Sequence, residues 1–368
     1  MKTLGLYIHI PFCKAKCAYC DFYSLARSEE RMDAYAAALC STLRAAAPQA
    51  ASYIVDTVYF GGGTPSLLGA KRLAALLETA TGSFSVAPDA EITFEANPES
   101  ARDASALRAL RGAGFNRISL GMQSADDGEL RAIGRIHTAR ETEEAVEAAR
   151  GAGFDDLSLD LIYGLPAQTR ERWRENLAAA MALSPEHLSC YGLKVEPGTP
   201  LYARRENVAL PDDDAQADMY LCAVETLAAH GWAQYEISNF ARPGRESRHN
   251  LKYWTLGEYL GFGPGAHSDF MGRRFAIARD LDAFLAGKTI LSEDAAISPR
   301  ERASERIMLG LRLARGLGAD ELAGAEDVLR ECASHGLAEQ IGGRWRLTPR
   351  GFLVSNAVIL RVQEALGL

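Results

Sequence analysis

Over its first 200 residues the chain alternates short β-rich runs with amphipathic, alanine-rich stretches, the pattern of a parallel β/α architecture. Strands are predicted at Leu6–Ile10, Thr57–Phe60, Glu91–Glu95, Arg117–Gly121, Asp156–Ile162 and His187–Leu193. Helices fall between them, among them Arg31–Arg44, Ala70–Thr79 and Thr142–Gly151. An internal echo supports the division. Arg111-Gly112-Ala113-Gly114-Phe115 and Arg150-Gly151-Ala152-Gly153-Phe154 each end a helix on a glycine and enter the next strand. Six strands suffice for an open, partial (β/α)6 barrel.

Beyond residue 200 the pattern loosens. A helix is predicted over Asp212–His230 and a strand over Ala233–Ile237, then a polar and aromatic segment from Asn239 to Tyr253 and a glycine-rich loop, Gly261–Ser268. From Ser298 helical stretches (Arg302–Leu313, Ala319–Leu322, Glu326–His335) lead to Leu337–Ile341, Gly342-Gly343 and Trp345–Leu347. A helical trio followed by a Gly-Gly hairpin resembles a winged helix. Three units are therefore expected: a barrel over 1–200, an extension over 201–297 and a mostly helical, winged-helix-like domain over 298–368.

Charge bears on the last of these. A net charge of −8 argues against a protein that grips nucleic acid, so the winged unit is expected to pack against its neighbour rather than read DNA. No stretch approaches the roughly 18 apolar residues of a membrane span. Met1-Lys2-Thr3-Leu4 runs almost directly into the first strand and leaves no room for a signal peptide. The cytoplasm is the expected compartment, with a peripheral place at a membrane compatible with it.

Three of the seven cysteines, Cys13, Cys17 and Cys20, lie in one loop after the first strand, spaced C-x-x-x-C-x-x-C. Thiolates suit zinc or iron–sulfur chemistry. A closed zinc site needs a fourth ligand, for which His9 and Asp21 are candidates. A cluster on three cysteines leaves one iron open, which a purely redox ferredoxin avoids. Inert thiols are the third reading. Cys40, Cys190, Cys222 and Cys332 are scattered singly, as buried cysteines commonly are.

The ends of the other strands are marked as well. Gly61-Gly62-Gly63-Thr64-Pro65 follows the second strand; with no Gly-Lys-Ser/Thr after it, a phosphate loop is excluded. Three glycines let a ligand approach the backbone, so a side chain at Gly62 or Gly63 is expected to block a cofactor and leave the thiolates untouched. Glu95 could meet a cation or ribose hydroxyls, Gln123 and Asp160 offer further hydrogen bonds, and Arg135 could grip a carboxylate. Polar residues at successive strand ends point to a site on the top face of the barrel.

The cysteine loop resembles the signature of the radical-SAM superfamily, whose [4Fe–4S] cluster binds S-adenosylmethionine at its open iron. Tyr7-Ile8-His9-Ile10-Pro11-Phe12-Cys13, Gly61 to Pro65, Gly121-Met122-Gln123 and Asp160 to Pro166 together resemble the oxygen-independent coproporphyrinogen III oxidase group. The resemblance implies that Cys13, Cys17 and Cys20 hold the cluster and that Tyr7, Gly62 and Glu95 contact the S-adenosylmethionine bound to it. It associates Tyr19, Gly63, Thr64, Gln123, Arg135 and Asp160 with a second S-adenosylmethionine. Two features depart from the oxidases: Phe22 stands where they carry a further cysteine, and only six residues precede Tyr7. His249-Asn250-Leu251-Lys252-Tyr253 is similar to the H-N-x-x-Y motif of the HemW-type haem chaperones. That likeness implies haem as cargo with His249 as its iron ligand, and haem-accepting apoproteins as partners, membrane respiratory enzymes among them. An oxidase acting on propionate side chains, and a haem-directed radical-SAM enzyme, are the rival readings.

Overall fold

The computed structural model describes residues 2–26 and 28–368. Seven parallel strands carry the barrel: β1 (Lys2–Ile10), β2 (Tyr53–Gly62), β3 (Val86–Ala96), β4 (Arg117–Gln123), β5 (Leu157–Tyr163), β6 (His187–Gly192) and β7 (Tyr259–Phe262). Their order is β7-β1-β2-β3-β4-β5-β6. Antiparallel strands extend both edges into a twelve-stranded sheet that stays open. Asn239–Ala241 and Ala233–Gln234 continue it beyond β6; His267–Phe270, Arg273–Ile277 and Leu291–Ala296 continue it beyond β7. The partial barrel expected from the sequence is present, with β7 arriving from far down the chain as a seventh parallel member.

Side chains alternate along these strands, as the pleat requires. Leu4, Leu6, Ile8 and Ile10 of β1, Val58 and Phe60 of β2, and Ile118 and Leu120 of β4 are all fully buried in the main apolar core. That layer is closed by helices α1 (Met32–Ala46), α2 (Ala70–Ser83), α3 (Ala104–Ala113), α4 (Ala139–Gly151) and α5 (Arg170–Ala182). The intervening positions are polar or aromatic: Tyr7 and His9, Thr57 and Tyr59, Glu91 and Glu95, Arg117 and Ser119, Ser158 and Asp160. They face one another inside the barrel, where an apolar filling would be ordinary.

The repeated Gly-Phe step has a packing reason. Gly114 (φ +114°) and Gly153 (φ +91°) end α3 and α4 in a conformation that favours glycine, and Phe115 and Phe154 donate back to Leu110 and Ala149. Both phenylalanines then pack against Phe94, with ring centroids 5.2 and 5.8 Å away. Each such buried ring contributes roughly 1.5–3 kcal/mol.

Residues 233–270 depart from the sequence reading. The strand expected over Ala233–Ile237 stops at Gln234, because the Tyr235 carbonyl accepts from Ala314 and Glu236 bridges to Leu313. The segment Asn239–Tyr253 contains a strand and a helix, α7 (Arg248–Trp254), which follows α6 (Asp213–Ala229). Gly261 lies in strand β7 rather than in a loop. A Cβ there would stand 2.2 Å from the His267 carbonyl oxygen, so this glycine records close packing and not a turn.

A second apolar core gathers Ile307, Leu311, Leu329, Trp345, Phe352 and Val362, with Tyr220 of α6. It supports α8 (Pro299–Gly310) and a three-stranded sheet of Leu317–Gly318, Arg344–Leu347 and Ala338–Ile341. Two further helices, Pro349–Leu353 and Ser355–Ala365, close this unit. Arg302 of α8 grips Asp269 through two bonds of 2.7 and 2.8 Å, tying the unit to the sheet extension. Among the described residues no helix is long and apolar enough to cross a membrane.

Candidate functional site at the two ends of the barrel

Chemistry-bearing residues gather at both ends of the barrel. At the top, Cys13 ends a short strand paired with Leu25–Ala26, and Cys17 and Cys20 follow in the loop, all three half-buried. The Cys13 and Cys20 thiols are pushed up chiefly by burial, with their neighbouring thiols adding to the shift. A polar chain links two of the three. Thr64 Oγ1 donates to Cys13 Sγ at 3.6 Å and accepts from Asn97 Nδ2 at 3.0 Å. Asn97 Oδ1 accepts from Arg135 Nη2 at 2.7 Å, and Arg135 Nη1 reaches Cys17 Sγ at 3.4 Å.

Among the described residues no three His, Cys, Asp or Glu side chains stand in a closed metal-holding group. The loop nonetheless fits a metal centre of thiolates, with three thiols at one mouth, an adjacent cation and hydroxyl support. His9 does not offer itself as a zinc ligand. Its Nδ1 accepts from Tyr7 OH at 3.0 Å and its Nε2 donates to the Tyr23 carbonyl at 2.9 Å. Burial lowers it to about 4, so it is neutral.

The glycine triplet is held against this loop. Gly63 N–H donates to the Ile10 carbonyl at 2.8 Å and Thr64 N–H to that of Phe12 at 2.7 Å. A Cβ on Gly63 would lie 2.7 Å from Phe12 O and 2.9 Å from Ile10 O. A side chain at Gly63 therefore displaces the backbone that carries Cys13, contrary to the expectation that it spares the thiolates. Gly62 differs: it has φ +115° and its nearest neighbour is the His9 ring. Its N–H donates to Glu95 Oε2 at 3.1 Å, while Tyr59 OH donates to Oε1 at 2.8 Å. Burial first, then Asp160, push the Glu95 carboxyl up to about 7.

Gln123 ends β4 buried and in the left-handed region (φ +63°), a strained conformation for a non-glycine residue. Gly121 beside it leaves room for Arg135, Gln123 and Asn97, whose polar atoms would stand 2.8 to 3.0 Å from a Cβ there. Arg135 Nε is buried without a partner among the described residues, a donor suited to an acceptor such as a carboxylate. Asp160 accepts from Ser119 Oγ at 3.3 Å and is raised by burial. Tyr19 lies close enough to Arg135 and Asp160 for their charges to act on its hydroxyl. Phe12 turns into the core, edge-on to Tyr35, whereas Phe22 is 63 % exposed on the loop.

At the bottom, helix α7 plugs the barrel. Glu91 of β3 accepts from the backbone N–H of Arg248 at 2.8 Å and of His249 at 2.9 Å, seating the helix start on the barrel wall. Lys252 pairs with Asp56 at 2.6 Å. His249 is 1 % exposed and points into the barrel, with Nδ1 on Thr57 Oγ1 at 2.9 Å and Nε2 on Tyr253 OH at 2.8 Å. Burial lowers it to about 3. A cavity of about 260 Å³ adjoins the plug, lined by Tyr253, Tyr259, Arg274, Met308 and Leu309 among others, between α7 and α8.

The residues predicted from sequence thus divide. Tyr7, Tyr19, Thr64, Glu95, Gln123, Arg135 and Asp160 surround one interior and its mouth together with the cysteines, whereas His249 enters from the opposite end. Sequence reading gave no role to Tyr59 or Asn97. Polar residues at every second position of otherwise apolar parallel strands were the available signal for Tyr59. Nothing local marks Asn97, whose side-chain partners, Thr64 and Arg135, lie on two other segments.

Comparison with known proteins places these features. The model of the radical SAM superfamily matches residues 7–180, and that of the HemN C-terminal domain matches residues 297–354. Heme chaperone HemW of Mycobacterium tuberculosis is 40 % identical over 373 residues, 97 % of this chain and 94 % of that protein. Heme chaperone HemW of Escherichia coli is 38 % identical, with 98 % of each chain covered. Among solved structures, the coproporphyrinogen III oxidase HemN from Escherichia coli, a radical SAM enzyme, superposes with a TM-score of 0.84 at 25 % identity, covering 98 % of this chain and 90 % of its own. Identity of that level, sustained from the first strand to the terminal helices, means that the chain belongs to the HemW family within the radical SAM superfamily.

Proposed function

We propose that this protein is a haem chaperone: it binds haem and hands it to haem-accepting apoproteins while carrying a [4Fe–4S] cluster and S-adenosylmethionine. The observation that carries this reading is the full-length likeness to proteins named heme chaperone HemW, in a chain that places Phe22 where the oxidases carry a further cysteine.

In this reading Cys13, Cys17 and Cys20 hold the cluster, which when bound supplies an electron to the sulfonium of S-adenosylmethionine. Tyr7, Gly62 and Glu95 form the first cradle. Glu95, fixed by Tyr59 OH and Gly62 N–H, is the carboxyl inside it and accepts from an ammonium group. Tyr19, Gly63, Thr64, Gln123, Arg135 and Asp160 serve a second S-adenosylmethionine, with the Arg135 Nε, unpaired among the described residues, available to a carboxylate. His249 is the haem ligand. Its Nε2 becomes available to iron once Tyr253 OH lets go, and the cavity against Tyr253 gives that residue room to move. The acceptors include membrane respiratory enzymes, met from the cytoplasm or from a peripheral place at the membrane.

A haem titration of the anaerobically reconstituted protein, run beside a coproporphyrinogen turnover assay, tests the reading. Saturable haem binding without turnover is expected. Turnover on the order of one per second or faster would make the protein an oxidase.

A further inference from the structure

The two ends of the barrel are joined by a triangular cluster of three rings. The His249 imidazole stacks on Tyr59 at 5.1 Å between centroids and 20° between planes. Tyr7 completes the triangle, 6.3 Å and 21° from Tyr59 and 6.4 Å and 27° from His249. From this trio two hydroxyls rise to the top site. Tyr59 OH donates to Glu95 and Tyr7 OH donates to His9, the ring that Gly62 leaves room for. Strand register fixes the arrangement, since Tyr7 stands opposite Tyr59 and Gly5 opposite Thr57. Gly5 is part of it: a Cβ there would lie 3.2 Å from His249 Cε1 and 2.9 Å from Lys252 Cδ. The barrel wall is therefore hollowed to admit the imidazole.

We infer that His249 is a positioning residue for the S-adenosylmethionine cradle, holding Tyr59 so that the tyrosine hydroxyl fixes Glu95. This rests on the reading of Glu95 and Gly62 as that cradle. It adds a second task for the histidine and couples the tasks, because iron taken up at Nε2 in place of Tyr253 OH draws the imidazole off the face of Tyr59. Haem at the bottom of the barrel then weakens S-adenosylmethionine at the top, and the reverse holds by the same factor.

Equilibrium binding of S-adenosylmethionine to the reconstituted full chain tests this. His249→Ala should weaken it by about fivefold or more with cluster iron unchanged. His249→Phe, which keeps a flat ring on Tyr59, should restore affinity to within about twofold of wild type while failing to bind haem. Tyr59→Phe keeps the stack and loses only the hydroxyl; it should weaken S-adenosylmethionine while leaving haem binding intact, and it guards against a misfolded His249→Ala. In the wild type, saturating haem should raise the S-adenosylmethionine Kd about fivefold. Wild-type affinity in both His249→Ala and Tyr59→Phe overturns the inference and leaves the haem reading standing. Normal haem binding by His249→Phe removes His249 as haem ligand and leaves the positioning role standing. A wild-type protein without affinity for S-adenosylmethionine takes the inference down together with the cradle.

Discussion

The mouth and the floor of this barrel are built from similar residue types and differ in how far their bonding is completed. At the mouth, three half-buried thiols, an Arg135 Nε without a partner among the described residues and a strained Gln123 leave valences for something to complete. At the floor, His249 has both ring nitrogens engaged, Glu91 caps the start of α7 and Lys252 is paired. Buried polar groups are costly when unpartnered, by about 1–3 kcal/mol each. The mouth is therefore suited to bind and the floor to hold, and a ligand at the floor has to displace a bond already made.

The strongest attack on this contrast removes the thiols. Cys13→Ala, Cys17→Ala and Cys20→Ala should each abolish the loading of about four irons per chain expected of the intact loop. Cys190→Ala and Cys222→Ala should load normally, since these thiols sit in the apolar core. Iron and sulfide analysis after anaerobic reconstitution decides it, and a requirement for Cys190 or Cys222 would be incompatible with the three-thiol loop.

A subtler test separates two adjacent glycines. Gly63→Val should lower iron loading severely, because its Cβ meets the Phe12 and Ile10 carbonyls that carry the loop. Gly62→Val should keep most of its iron and lose S-adenosylmethionine, because its φ of +115° and the His9 ring, not the cysteine backbone, oppose it. Equal iron loss in both would mean that the triplet is one structural unit.

The smallest expected effect concerns charge. Glu95, held near 7, retains its proton over a range where an unfolded glutamate has lost it. The folded state binds more protons there, so stability falls as pH rises from about 4.5 through about 7 and is relieved at lower pH. Glu95→Gln should melt a few degrees above wild type at pH 8, with the gap closing near pH 5. His249, lowered to about 3, acts in the opposite direction: its contribution is lost as pH falls below about 6.5. A gap that widened in acid would mean that Glu95 is ionised throughout.

Sequence alone located the mouth well and the floor badly, for a physical reason. Strand ends in a parallel barrel carry their own signature, so Cys13, Gly62, Glu95, Gln123 and Asp160 each announced themselves beside an apolar run. The floor is assembled from distant pieces. Helix α7 exists where only a polar and aromatic segment was legible, and its start rests on Glu91, more than 150 residues earlier. Gly261 was read as part of a loop because its reason for being glycine, the His267 carbonyl, appears only on folding. His249 was found as a motif, yet its stacking on Tyr59 belongs to no local pattern.

Strand β1 carries the cysteine loop and pairs on one side with β2 and on the other with β7, Tyr7 standing opposite Gly261. On a ribosome these neighbours arrive at very different times. At roughly 5–20 residues per second, the chain waits on the order of 12–50 seconds between making the first strand and making β7. For nearly all of that interval the thiols are already synthesised, while His249, which completes the ring cluster beneath them, is not. In the proposed reading, cluster delivery has a window that opens long before the S-adenosylmethionine cradle can mature, and the order of assembly is written into which strand lies beside the first.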